Sequence, residues 1–274
     1  LGWLKLGVFT RFISNAVMIG FLTGVATVLI LGQLGDLTGY QSEYSNKVMQ
    51  ALDLITNPTG IDLATTLTGV GTILLILALA RTRLRNFSLA LEVLLSSIAV
   101  TLLKMDSVAL VGDPNEIFGA IPLPALPDLA LVRSLLLPAV AIGLLGLIQG
   151  AGISQTVPNP DGEYPDPSGD FKGQGIANLV SGFFQGLPMG GSLGGTGIII
   201  KAGAKSRWAN VFMGLMVGAF VLLFAKQVEN VAIPAVAAVL IVAGFETFRF
   251  EAIKDIRDVS RSSLIVMGAT FLAT

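Results

Sequence analysis

The sequence predicts an all-α polytopic membrane protein that contains a short broken half-helix at mid-membrane. Hydrophobic residues make up 53% of the 274 positions against 13% charged, and the mean hydropathy is +0.78, a balance that ordinary soluble domains do not show. Charge-free runs long enough to cross a bilayer, about 20 residues, recur along the chain. Residues 185–206, QGLPMGGSLGGTGIIIKAGAKS, break that pattern with Pro188, five glycines within 190–197, Ser192 and Thr196, then three isoleucines and Lys201 and Lys205. This stretch reads as an extended entry followed by a helix over about 193–202 with Ser192 as its N-cap. Such a helix is too short to span and must begin part-way across. Non-helical backbone at that depth is tolerated only where it is buried in protein or lines a cavity, and broken helices at the midplane mark substrate sites in transporters.

The other elements follow in order. Residues 12–35 carry no charge and form a first span closed by Asp36. Residues 36–53 are a polar loop with a short amphipathic turn over 44–54. A second span lies within 54–80, starts near Asp62 and ends on Arg81, Arg83 and Arg85. A third covers 86–103 and holds Glu92, an intramembrane carboxylate placed to reach water or that arginine cluster. Residues 104–133, with four prolines, form an irregular extramembrane loop. A fourth span runs over 134–154 and contains Gln149. The acidic, turn-rich segment 158–173 lies outside the bilayer, and 174–186 begins a fifth element. After the half-helix come spans over 208–225 and 231–245, the latter with Pro234 in its first turn, where a missing amide costs little. Residues 246–261 alternate Phe and Ile with charges and suggest an interfacial amphipathic helix, and 262–274 opens a further span. Leu1 is not preceded by Met and the chain stops inside an apolar run, so a fragment trimmed at both ends is expected.

The 17 Lys and Arg gather on alternate connections. Segments 1–11, 81–85, 155–172, 201–207 and 246–261 hold most of them, and 36–53, 104–133 and 226–230 hold few. The basic side is expected to be cytoplasmic. This alternation holds only if 174–200 enters the membrane and returns. The chain has no His and no Cys, which removes thiolate nucleophiles, thiolate or imidazole metal ligands and the usual general base. An enzyme is therefore not expected, and neither is a metal or a cofactor.

The segment DPSGDFKGQGIANLVSGFFQGLPMGGSLGGTGIIIKAGAKSRWANVFMGL, with FISNAVMIGFLTGVATVLILGQL before it and NVAIPAVAAVLIVAGF after it, resembles the SulP sulfate permease family, related to the animal anion exchangers and prestin. The resemblance implies a fourteen-segment fold of two inverted seven-segment repeats, divided into core and gate. On that map the chain covers segments five to thirteen: 1–133 gate helices and an extracellular loop, 134–230 the second half of the core, 231–274 gate again. A partner half-helix would precede the chain and a STAS domain would follow it. Family members move sulfate, bicarbonate, chloride or dicarboxylates by symport or exchange, through an elevator-like movement, commonly as homodimers.

The resemblance places substrate at Ser192, Leu193, Gly194, Gly195 and Thr196, and general physics agrees, since amides and a macrodipole of roughly half a positive charge at a helix start attract anions. Two departures stand out. Many members carry a Ser-Arg pair where this chain has Gly194 and Gly195, and an acidic residue where it has Gln149. The first leaves the helix end to stabilise the anion, and the second argues against Na+ or H+ coupling through Gln149, which could still orient substrate. A nucleobase permease of the same architecture would need acidic side chains at both places. A non-transporting anion sensor or scaffold is the alternative from another class. Asn178 and Gln185 are expected to pin neighbouring backbone.

Overall fold

The computed structural model describes residues 2–5, 7, 14–84, 87–113, 122–156, 166–192, 195–196, 199–200, 203–248, 253–256 and 260–274. Among these the chain is helical: α1 Asn15–Thr38, α2 Lys47–Thr56, α3 Leu63–Leu79, α4 Ser88–Leu102, α5 Val132–Thr156, α6 Pro167–Phe183, α7 Trp208–Glu229, α8 Ile233–Thr247 and α9 Arg261–Ala273, with 3-10 turns at Pro58–Gly60 and Leu129–Leu131. Helices α1 and α7, and the apolar stretch Leu129–Ile153, are long and apolar enough to cross a membrane alone. The chain divides into two compact units, one of 1–15 with 120–222 and the other of 16–119 with 223–274. The division falls inside α7, beside Phe224, whose backbone leaves helical geometry (φ −121°, ψ 23°).

The unit of 16–119 and 223–274 is built on α3, packed against α4 and α8. The inner face of α8 is mostly alanine, and small residues let membrane helices approach closely. Ala237, Ala238 and Ile241 pack with Leu37 of α1, backed by Ile73, and Ala232 and Ala235 pack with Val100 and Val108. The start of α8 is held by the neighbouring chain. Ile233 donates its amide to the Ala109 carbonyl at 3.0 Å, and Ala232 donates to Ser97 Oγ at 3.0 Å.

Asp62 caps α3. Its carboxylate accepts from the Thr65 amide at 2.7 Å, the Thr65 hydroxyl at 2.6 Å and the Ser107 hydroxyl at 3.2 Å. Its own amide donates to the Thr38 carbonyl at 3.0 Å, tying the end of α1 to the start of α3. Hydrogen bonds from Thr65, opposed by partial desolvation, hold the carboxyl below its usual range. A carboxyl lowered on folding stabilises the fold above its unfolded value and loses that contribution as pH falls through the folded one. Thermal unfolding in detergent should therefore shift to lower temperature as pH drops through and below the usual carboxylate range. Asp62→Asn should flatten that part of the profile, and an unchanged profile would remove Asp62 as its origin.

Several expected boundaries move. Helix α1 runs through Asp36 to Thr38, since one polar residue near a helix end does not stop it. The amphipathic turn expected over 44–54 is a full helix shifted along the chain, α2 Lys47–Thr56, capped by Asn46, whose side chain accepts from Val48 and Met49. Helix α6 begins at Pro167, inside the segment expected to be a loop, with Asp166 accepting from the Ser168 amide and proline at the first position; turn formers there serve as a helix start. Residues 158–165 lie outside the described residues. Of the interfacial segment, 253–256 are helical, and Ile256 is buried with Ala16 and Ile19 of α1.

Glu92 departs furthest from expectation. It is 0% exposed, and both carboxylate oxygens are buried without a hydrogen-bond partner among the described residues. Arg81 and Arg83 are exposed, and Arg85 lies outside the described residues. The phase of α4 turns Glu92 to the inside, where it pairs with neither Arg81 nor Arg83.

Candidate functional site

In the unit of 1–15 and 120–222, α5 and α6 pack against each other and hold the extended segment that follows α6. Helix α6 closes in a paired turn: Gln185 donates to the Gly182 carbonyl at 3.1 Å, and Gly186 to the Ser181 carbonyl at 2.8 Å. Gln185 takes a left-handed conformation (φ 58°), a setting normally given to glycine. Its side chain donates to the Leu123 carbonyl at 3.1 Å, so it does pin neighbouring backbone.

The extended entry is fixed from α6 by side chains that replace a missing strand partner. The Met189 amide donates to Asn178 Oδ1 at 2.7 Å, and Asn178 Nδ2 donates back to the Met189 carbonyl at 2.9 Å. Gln174 Nε2 donates to the same carbonyl at 3.3 Å, and Ser181 Oγ donates to the Leu187 carbonyl at 3.2 Å. On its other side the entry lies along the small-residue face of α5. A Cβ on Gly191 would stand 3.2 Å from Gly150 Cα, and one on Gly190 would stand 3.3 Å from Gly146 Cα and collide with Gln149 Oε1. Only glycine allows that approach.

The half-helix is bounded by two caps. Ser192 Oγ accepts from the Gly195 amide at 3.1 Å, and the Ser192 carbonyl accepts from the Thr196 amide at 3.0 Å. At the other end Gly203 takes φ +93°, its amide donates to the Ile200 carbonyl at 2.9 Å, and the Ala204 amide to the Ile199 carbonyl at 3.2 Å, a glycine-terminated helix end. Of the helix expected over 193–202 the structure describes 195–196 and 199–200, both helical; ten residues at 1.5 Å each would rise about 15 Å, roughly half of a hydrocarbon core of about 30 Å.

Of the residues singled out in sequence, Ser192, Gly195 and Thr196 stand at this helix start, Gln149 lies against the entry at Gly190, and Leu193 and Gly194 lie outside the described residues. The Gly195 and Thr196 amides are not open to a ligand, because Ser192 takes both. What remains exposed to ligand chemistry is the Ser192 hydroxyl proton, the Thr196 hydroxyl and the Gln149 amide, the last two without a hydrogen-bond partner among the described residues. Neither 134–156 nor 173–200 contains a charged residue, so the partial positive charge of the helix start meets no carboxylate from these segments. Beside the entry lies a cavity of about 500 Å³ lined by Pro138, Ile142, Gly146, Gln174, Asn178 and Met189 among others. Gln174 was not singled out in sequence. Its spacing of four from Asn178, two amides on one face of an apolar helix, was the available signal.

A sequence model of the sulfate permease family matches residues 1–270. The chain belongs to the sulfate permease family. It is 25% identical over 278 residues to the putative sulfate transporter YvdB of Bacillus subtilis, covering 100% of this chain and 52% of that protein. It is also 25% identical to the bicarbonate transporter BicA of Synechocystis, covering 100% of this chain and 49% of that protein. The sulfate permease chain thus spans about half the length of the curated relatives it matches. The transmembrane domain of a cyanobacterial bicarbonate transporter BicA superimposes with a TM-score of 0.82 at 22% identity, covering 99% of this chain and 69% of that one. The fold is therefore the inverted-repeat core-and-gate arrangement of that domain, and the protein is an integral membrane protein of a family of transporters, not enzymes.

Proposed function

We propose that the whole protein is a secondary transporter of small anions, of the sulfate, bicarbonate, chloride or dicarboxylate class, working by elevator-like alternating access. The observation that carries this reading is the half-helix start. It presents a positive helix end and two hydroxyls in a stretch free of carboxylates, at half-membrane depth by length, and such an end is a ready anion site. Ser192 has a double task, accepting from Gly195 to cap the helix while its own proton is left to donate to the anion. Thr196 and the Gln149 amide supply further donors. The segment 134–230 acts as the second half of the core, with the helices of 1–133 and 231–274 as gate. The protein works in the plasma membrane with its basic loops cytoplasmic, as a homodimer with a STAS domain downstream.

Full-length protein reconstituted in proteoliposomes should take up at least one of radiolabelled sulfate, bicarbonate, chloride or a dicarboxylate. No flux of any of them would overturn transport, and binding without flux would leave a sensor. The site itself is tested by Gly195→Arg. A Cβ there would meet Ser192 Oγ at 3.2 Å and Cβ at 3.5 Å, so the change is accommodated with small shifts. A guanidinium near the helix start should tighten anion binding about tenfold. Unchanged affinity in a folded variant would move the anion elsewhere.

A further inference from the structure

Glu92 sits in the second turn of α4 with no exposed surface. Neither carboxylate oxygen has a hydrogen-bond partner among the described residues. Around it the helices are apolar. Of the two helices packed on α4, α3 has no ionisable residue within Leu63–Leu79. Helix α8 has one, Glu246, in its exposed last turn. The α3–α4 connection carries Arg81 and Arg83, both exposed, and Arg85, which lies outside the described residues. Thr72 of α3 and Ser96 of α4 share a hydrogen bond at 2.6 Å. One turn further along each antiparallel helix, that register sets buried Ile76 opposite Glu92.

An ionised carboxylate in such a place, without donor or counter-charge among the described residues, is so unfavourable that buried groups neutralise instead. Ionisable residues inside membrane spans mark proton and ion pathways. We propose that Glu92 is a proton-binding site of the α3–α4–α8 bundle, neutral while the bundle is closed and exchanging its proton with bulk water only when α4 separates from α3 or α8. The half-helix site is not involved, and Gln149 has no titratable proton. Rising pH then favours the separated bundle, because ionised Glu92 needs water that the closed bundle excludes.

Infrared spectroscopy of the purified full-length protein tests the site directly. At neutral pH a protonated carboxyl band, shifting in heavy water, should be present in the wild type and absent in Glu92→Gln. A wild-type spectrum without that band overturns the proposal even if the variant fails to fold. Coupling to transport rests on the function proposed above and is read separately. Proteoliposome flux of wild type should change severalfold between mildly acidic and mildly alkaline pH, and Glu92→Gln should hold its acidic-side rate throughout. A variant with the wild-type pH profile overturns the coupling and leaves the band as the measure of the site. Absence of flux in every protein overturns the transporter reading and leaves the proton site standing on its band.

Discussion

Asn178→Leu is expected to abolish anion flux while leaving the protein folded and inserted. Asn178 is the only described side chain that both accepts from and donates to the entry backbone, holding Met189 through bonds of 2.7 and 2.9 Å. Leucine keeps the same branched four-atom skeleton and makes neither bond. At about 1 kcal/mol net for each, losing both shifts the docked population of the entry by roughly thirtyfold. The retained Gln174 bond to the Met189 carbonyl, at 3.3 Å, is longer and one-sided. Because Ser192 comes three residues after Met189, an undocked entry leaves the helix start without a fixed position. Asn178→Asp separates positioning from charge. It keeps the acceptor for the Met189 amide, loses the donor, and adds a negative charge near an anion site. Its affinity for anion should therefore fall further than that of Asn178→Leu. Uptake in proteoliposomes and tracer binding in detergent measure the two effects, and wild-type flux from Asn178→Leu would show that α6 does not position the site.

The features legible in the sequence and those hidden from it divide along local and long-range physics. Ser192 ahead of a glycine-rich helix and Gly203 behind it are local signals, and the caps form at both. Pro234 at the first turn of α8 is another. The start of α6 was equally local but ambiguous, since an Asp-Pro pair such as Asp166 and Pro167 opens either a turn or a helix, and the acidic, proline-rich residues before it favoured the turn. Asn178 pins backbone as expected, but its partner Met189 is hidden in the sequence, because a side chain of α6 pairing with backbone 11 residues on leaves no periodic trace. Glu92 was misjudged for a related reason. The charges nearest it in sequence are arginines, but its position relative to Ser96 and Ser97, which bond to α3 and to the start of α8, places it on the packed side of α4.

Gly191→Val is expected to cost as much activity as the loss of Asn178, by crowding the other side of the same segment. The added Cβ would lie 2.5 Å from Ile153 Cδ1, 3.2 Å from Gly150 Cα and 3.4 Å from Gly150 N. The first contact involves the end of a flexible side chain and the others involve helix backbone, which yields far less. Valine adds two methyl groups beyond Cβ, and overpacking of this kind costs about 1–3 kcal/mol. That cost is relieved by lifting the entry off α5, which carries Ser192 away from Gln149. Two further variants distinguish crowding from a general loss of stability. Ile153→Ala in the Gly191→Val background removes the softer of the two contacts and should recover part of the flux, a positive coupling between residues in contact. Gly150→Ala in the same background adds bulk where the backbone already yields least, and should recover nothing. If both double variants behave alike, Gly191 acts through backbone conformation and not through its contact with α5.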